Sequence, residues 1–362
     1  MKKISVCIIS KQLVPNYLFL QETKKLADEV LLVASKEFEK AGRNLCELLK
    51  TLDYKKIELL VFSENDVEEK WNQMTQEIVA HLNHENHYLV NLTGGTKYMS
   101  LAVQKVFENF KSDYFYIPSP KNYFIQPMKD DTRVGIKHRI KVKEALSIFG
   151  VELKSFEAEV VDRNYTNKFF NLFVNGKLNF KAIEKLRELR NNRNVEINSV
   201  SNLRNLLERS NFLSQNSEKL SRKEVGYLTG GWFEEYVFNH IKEHVKPDDI
   251  KINLKTSKNV KTSDSSVINE FDVCFTLNNK FFVVECKTGG TSKESDFNPI
   301  VYKAKALKES LMGLTTKFYI FTLGDVFKRA EAMEISSFGR EHFIDKEKFQ
   351  VLLDSIIENS KR

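Results

Sequence analysis

Cysteine is scarce in this chain, with four in 362 residues, Cys7, Cys46, Cys274 and Cys286. None forms a CxxC pair, which excludes dithiol redox exchange and a thiolate metal cluster, and fits a reducing, cytoplasmic setting. No run approaches the roughly 18 apolar residues of a membrane span. Met1-Lys2-Lys3 followed by Ile4 to Ile9 begins like a secretory signal. Lys11 interrupts it and no small-residue cleavage site follows, so it reads as a first buried strand. No GxxxxGK[ST] loop occurs, which argues against Walker-type ATP hydrolysis. Internal repeats and low-complexity segments are also missing.

What is present is a soluble globular composition, 41% hydrophobic and 29% charged, long enough for two or three domains. The formal net charge is +7, and residues 136–222 hold 17 Lys/Arg against 10 Asp/Glu, a difference equal to the whole excess. A basic middle between near-neutral ends fits either a phosphate backbone or a solvated helical surface.

The first 135 residues alternate apolar runs with helical patterns. Ile4 to Ser10, Val30 to Ala34, Ile57 to Phe62, Tyr88 to Leu92 and Tyr114 to Ile117 read as strands; Glu37 to Thr51 and Asp66 to Leu82 read as helices. That order predicts an α/β unit with a largely parallel sheet, ending near Pro118 and Pro120. Residues 136–220 read as a basic, mainly helical connecting region, a spacer in preference to a winged-helix-like reader, since no recognition-helix code is legible. Residues 221–362 give a glycine-led helix, "GGWFEEYV", then strands "NEFDVCFTL" and "KFFVVECKT", a helix near Val301 to Leu311, a strand "KFYIFTL" and a last helix from Asp345 to Glu358.

Leu277-Asn278-Asn279-Lys280 predicts a two-residue hairpin turn, because asparagine tolerates the positive φ such turns demand. If Leu277 pairs with Lys280, Asp272 falls opposite Glu285 and Glu270 opposite Lys287. Period-two alternation then puts these four on one face and Phe271, Val273, Val284 and Cys286 on the other. Carboxylates opposed across strands repel unless a cation lies between them, and Mg²⁺ or Mn²⁺ prefers such oxygen ligands. Asp272 and Glu285 are therefore candidate metal ligands. Lys287 is a candidate for orienting water or stabilising transition-state charge, and Glu234 for a further ligand or base. Salt-bridging charges on an exposed hairpin face are the plainer alternative.

At these residues the region resembles the PD-(D/E)xK restriction-endonuclease-like superfamily. Glu234 falls where that superfamily often carries a helix glutamate, though Glu235 competes for the place, and Asp272 and Glu285-Cys286-Lys287 fill the other slots. The resemblance implies metal-dependent phosphodiester hydrolysis with Glu234, Asp272, Glu285 and Lys287 catalytic.

"HYLVNLTGGTKYMSLAVQKVF" reads as strand, loop, helix. Gly94 and Gly95 let backbone amides approach a ligand, the helix start favours anions, and Thr93, Thr96 and Lys97 add donors. A phosphate-bearing ligand suits this loop. The first strand ends at Ser10, with Gln12 and Asn16 at the same carboxyl edge of the sheet, where open α/β sheets bind ligands. These two loops resemble the binding motifs of CARF domains, which sense cyclic oligoadenylates in type III CRISPR defence.

Together the two ends resemble CARF plus restriction-endonuclease-like effectors of the DUF1887 type. The resemblance implies a Rossmann-like CARF domain at 1–135, the helical connector at 136–220 and a nuclease domain at 221–362. It also implies a homodimer binding one cyclic oligoadenylate, most often the tetra-adenylate, and cleavage or nicking of DNA, single strands included, with RNA as an open second substrate. Two other readings stay open: a nucleotide-sensing DNA-binding regulator without cleavage, and an unregulated restriction or repair nuclease. His81, His84 and His87 lack partners of suitable spacing for zinc apart from Glu85. Cys286 should face the core.

Overall fold

The structure is a computed structural model. It describes residues 1–118, 121–127, 129, 132–157, 163–178, 180–212, 216–258, 268–289, 297–302, 304–305, 316–324, 326, 330, 333 and 335–361. Much of the predicted helix near Val301 to Leu311 lies outside them.

Five strands, β1 (Lys3–Ile8), β2 (Glu29–Ala34), β3 (Lys56–Val61), β4 (His87–Asn91) and β5 (Lys111–Phe115), form one parallel sheet in the order β3-β2-β1-β4-β5. Strand β1 is buried on both sides. Cys7 joins a core with α1 (Val14–Thr23) and α2 (Glu39–Lys50), while Val6 and Ile8 join another with α3 (Trp71–Val79) and α4 (Lys97–Phe107). That double burial explains continuous apolar runs in place of alternation. The helix expected over Asp66 to Leu82 is divided, because Lys70 is extended (φ −108°, ψ 92°) between a 3₁₀ turn, Val67–Glu69, and α3.

A short antiparallel pair, β6 (Tyr123–Ile125) and β7 (Arg133–Gly135), leads to α5 (Val142–Ile148). The expected connector is not a spacer. Residues Val151–Glu157 form β8, the edge strand of the second sheet. The helices α6 (Arg163–Val174), α7 (Phe180–Glu188), α8 (Leu203–Ser210) and α9 (Arg222–Gly226) pack with a small ribbon, β9 (Asn194–Glu196) and β10 (Lys219–Ser221). They cover α10 (Trp232–His240): Phe170 stacks on Tyr236 at 3.9 Å and Phe169 lies 5.0 Å from Trp232. Aromatic residues on α6, not its charges, decide its place.

The second sheet has the order β15-β14-β13-β12-β11-β8, with β11 (Asp249–Lys258), β12 (Ile268–Leu277), β13 (Lys280–Lys287), β14 (Thr316–Thr322) and β15 (Ser336–Phe338). Strands β8 to β13 pair antiparallel and β13 to β15 parallel. The hairpin turn is as expected: Leu277 pairs with Lys280, and Asn278 and Asn279 hold φ of 51° and 62°. The last helix, Lys346–Lys361, packs on the same sheet face as α10.

The side-chain alternation predicted for β12 changes at Asp272. Val273, Val284 and Cys286 face α10, but Phe271 is buried in the core shared with α1, α2 and α5. The neighbouring strand explains the change. Pairs Ile252↔Val273 and Leu254↔Phe271 leave Asn253 opposite Asp272, and Asn253 takes a left-handed φ of 53°. The pleat inverts there, so Ile252 and Leu254 also enter different cores.

Candidate active site and ligand loops

The inversion frees the Asp272 carboxylate where the β12–β13 ladder ends. The β12–β13 ladder stops at Val273↔Val284, so Asp272 and Glu285 are not ladder partners as the register suggested. Asp272 Oδ2 instead accepts the Cys286 amide at 2.7 Å and the Lys287 ammonium at 3.2 Å. Lys287 Nζ also donates to Glu285 Oε1 at 2.7 Å and to the Cys286 carbonyl at 3.1 Å. Three oxygens from three residues thus converge on one positive group. Glu270, expected opposite Lys287, pairs with Lys255 of β11 in an exposed ion pair, 3.1 Å away, outside the cluster.

The electrostatics follow from crowding. Asp272 and Glu285 side chains are 16% and 9% exposed, against 30% for Lys287, so the charges interact with little screening. Burial, then the Glu285 charge, raises the Asp272 pKa. For Lys287 burial acts downward, but Asp272 and Glu285 outweigh it and raise its pKa. Glu234 is pushed up to about 8, by burial first and Asp272 second, with Lys287 and Arg190 opposing.

Helix α10 presents Glu234, not Glu235, to this cluster. Glu234 Oε1 lies over Gly230 in a π-helical turn, Tyr227–Gly231, that precedes the helix. Such turns shift the phase of the residues after them. Glu235 is 2% exposed and acts instead on Tyr227, raising its pKa along with burial. Cys286 is buried in the core with its thiol pKa raised by desolvation, so it is no ready nucleophile. Sequence reading missed Arg187 and Arg190, whose distance from Glu285 along the chain leaves no spacing signal.

The donor set suits a hard divalent cation: carboxylate oxygens of Asp272 and Glu285, the Cys286 carbonyl, and a mutual repulsion that added positive charge reduces. Among the described residues no group of three or more His, Cys, Asp or Glu is arranged to hold a metal.

At the other end, Gly94 approaches β1 so closely that a Cβ would stand 1.8 Å from Ile8 O, and Gly95 has φ +75°. Glycine is required at both. Asn16 does not open onto the loops: it is fully buried, Nδ2 donates to Ile8 O at 2.8 Å and Oδ1 accepts from Asn91 Nδ2 at 2.8 Å. Asn91 in turn accepts from Thr93 N and Thr93 Oγ1, and Thr93 Oγ1 accepts from Ile117 N. Asn16 and Thr93 therefore brace the two loops together. Ser10 Oγ accepts the Gln12 amide, Thr96 caps α4 by accepting from Met99 N, and Thr96 and Lys97 are exposed at the helix start. The three histidines go separate ways, His81 to Glu58, His84 onto Phe110 and His87 to Asp113.

A parallel α/β sheet with a Gly-Gly loop at its carboxyl edge, joined to a second sheet bearing an Asp, Glu-x-Lys cluster, defines a ligand-sensing domain fused to a nuclease fold. Residues 4–145 match the family model of the Card1 CARF domain, and residues 221–350 match the Card1-like endonuclease domain. The chain thus joins a Card1-type CARF domain to a Card1-like endonuclease domain. No curated protein matches it. Its fold is similar to that of protein VC1899 from Vibrio cholerae, at 17% identity and TM-score 0.77, covering 99% of this chain and 98% of that one. It is also similar to Can2 from Sulfobacillus thermosulfidooxidans, solved with cyclic tetra-adenylate, at 19% identity and TM-score 0.71, covering 97% and 98%. A type III CRISPR defence DNA nuclease activated by cyclic oligoadenylate matches at 15% identity and TM-score 0.55, over 89% of this chain and 45% of that one. Among the described residues no helix is long and apolar enough to cross a membrane.

Proposed function

We propose that this protein is a cyclic oligoadenylate-activated, metal-dependent nuclease of type III CRISPR defence that acts as a homodimer on DNA, single strands included. The observation that carries the catalytic half is the convergence of Asp272, Glu285 and the Cys286 carbonyl on one cationic position. The CARF match and the braced glycine loop support the sensing half, with the cyclic tetra-adenylate seated on Can2 as the ligand class.

In this reading Asp272 and Glu285 hold Mg²⁺ or Mn²⁺. The chemistry such an ion supplies when bound is polarisation of the phosphodiester and a lowered pKa for water. Lys287, already raised in pKa, stays charged and steadies the growing negative charge of the pentavalent phosphorane. Glu234, whose pKa burial and then Asp272 push up to about 8 in the metal-free protein, is placed to act as a proton donor at Oε1. At the sensor, Gly94 and Gly95 offer backbone amides, and Thr96, Lys97, Ser10 and Gln12 line the approach to a ring phosphate.

The test is a cleavage assay that crosses cyclic tri-, tetra- and hexa-adenylate with plasmid, single-stranded DNA and RNA, with Mn²⁺ or chelator. Expected is cutting that needs both one ring size and the metal, and that disappears in Glu285→Ala with Lys287→Ala. Cutting by that double variant would show the site to be elsewhere. Cutting without any activator would point to an unregulated nuclease.

A further inference from the structure

One cation of the basic middle reaches the nuclease site. Arg187, on α7, donates Nη2 to Thr288 Oγ1 at 2.8 Å and to the Thr229 carbonyl at 3.3 Å, and Thr288 Oγ1 donates to the same carbonyl at 2.8 Å. Thr288 directly follows Lys287, and Thr229 lies in the π-helical turn before Glu234. The guanidinium therefore bridges the end of the Glu-x-Lys strand and the start of the glutamate helix. It lies flat against Gly289, where a Cβ would stand 3.0 Å from Nη1 and 3.3 Å from Nη2. A Cβ on Gly230 would stand 3.8 Å from both Glu234 Oε1 and Thr288 Oγ1, so the hydroxyl Arg187 grips and the Glu234 carboxylate both border Gly230.

Arg187 is half-buried, yet both of its hydrogen-bonded acceptors are neutral and it forms no ion pair among the described residues. Glu184, one turn back on the same helix, is the acidic charge whose field reaches it, and burial lowers its pKa. A guanidinium has five donors in a planar fork suited to phosphate oxygens, and desolvating it without an anion is costly. The carboxylates of Asp272 and Glu285 are engaged by Lys287, and among the described residues the acidic charge that acts on Arg187 is Glu184, so its fork stays available to an anion arriving with substrate.

We propose that Arg187 is a substrate-binding residue of the nuclease site, presenting its fork to a phosphodiester oxygen beside the cleaved bond while Thr288 and the Thr229 carbonyl fix its orientation. The assignment rests on the nuclease reading above. The competing account is a purely structural brace between α7 and the strand end.

The two differ in salt dependence. Full-length Glu285→Gln, which should bind without cutting, is titrated with fluorescein-labelled oligothymidylate in the presence of cyclic tetra-adenylate and Mn²⁺ over a series of KCl concentrations. Adding Arg187→Gln is expected to weaken binding about tenfold near 0.1 M KCl and to make the log–log salt slope shallower by about 0.7, one phosphate contact on a single strand. Arg187→Lys keeps the charge and should restore the slope while still raising KM for cleavage in the otherwise wild-type chain. A brace predicts that Gln and Lys variants lose thermal stability alike with the parent's slope intact. That result, or an unchanged affinity in Arg187→Gln, overturns the assignment. If Arg187→Gln does not fold, Thr288→Val decides: the guanidinium loses its anchor, so a shallower slope at unchanged thermal stability supports the proposal, and the parent's slope with lost stability refutes it. Should Glu285→Gln bind no oligonucleotide and the wild type cut nothing, the nuclease reading itself fails and this assignment with it.

Discussion

Replacing Glu234 by glutamine should make the metal-free protein more stable while disabling it as an enzyme. The folded protein lifts this carboxyl from 4.5 to about 8, through burial and then Asp272. A raised acid pKa means the folded state keeps a proton that the unfolded chain has released. Its stability contribution is complete below about pH 4.5, falls as pH rises toward 8, and is fully lost above that. At about 1.4 kcal/mol per pH unit, the upper limit of the penalty is roughly 5 kcal/mol. Partial exposure of the carboxyl reduces this to about 1–2 kcal/mol. Glutamine mimics the protonated form at every pH. Thermal melts in chelator at a series of pH values should show Glu234→Gln gaining about 1–3 °C over wild type near pH 8.5 and almost nothing near pH 4.5. Adding Mn²⁺ should raise the wild type more than the variant. A variant less stable than wild type at pH 8.5, or a gain that does not depend on pH, would refute the claim that Glu234 is crowded by Asp272.

Three further outcomes are expected. Lys287→Met should cut activator-dependent cleavage by about 10²–10³-fold while leaving activator binding, read by calorimetry, unchanged. Gly94→Ala must displace the Ile8 carbonyl, so it should cost about 3 kcal/mol or more in denaturant melts and abolish the response to cyclic oligoadenylate. Asn279→Gly keeps the left-handed turn but loses the side-chain bonds to Ile140 N, Asn122 Oδ1 and His138 O. It should lose about 1–3 kcal/mol of stability, and the ratio of cleavage with and without activator should fall.

What the sequence revealed was local. The Asn278-Asn279 turn sets its own register because both residues must adopt positive φ, and the five strands of the first sheet announce themselves as apolar runs. Strand β11 went unread although Ile250, Ile252 and Leu254 alternate in it, since Asn253 and the lysines dilute the pattern. The pleat inversion at Asn253 and Asp272 depends on which core each neighbour enters, which no window of sequence contains. The same holds for α6, whose aromatic contacts to α10 could not be distinguished from the face of a free helix. Of the candidate ligand residues, Asn16 had the right position and chemistry to meet a ligand. Its full burial against Ile8 O and Asn91 becomes visible only when β1 and β4 are adjacent.

The core beneath α1, α2 and α5 is one continuous cluster that contains Cys7 and Leu32 of the first sheet together with Phe281, Val283 and Ile320 of the second. Sensor and nuclease thus share the apolar burial that holds each of them folded, and neither can open without exposing the other. A ligand held only by the loops at Ser10 and Gly94 therefore protects the distant hairpin from unfolding, by about 2.7 kcal/mol at a hundredfold excess over its Kd. Amide exchange should slow in β12 and β13 when such a ligand binds. In a cell, the signal that switches this nuclease on would also lengthen its life against proteolysis.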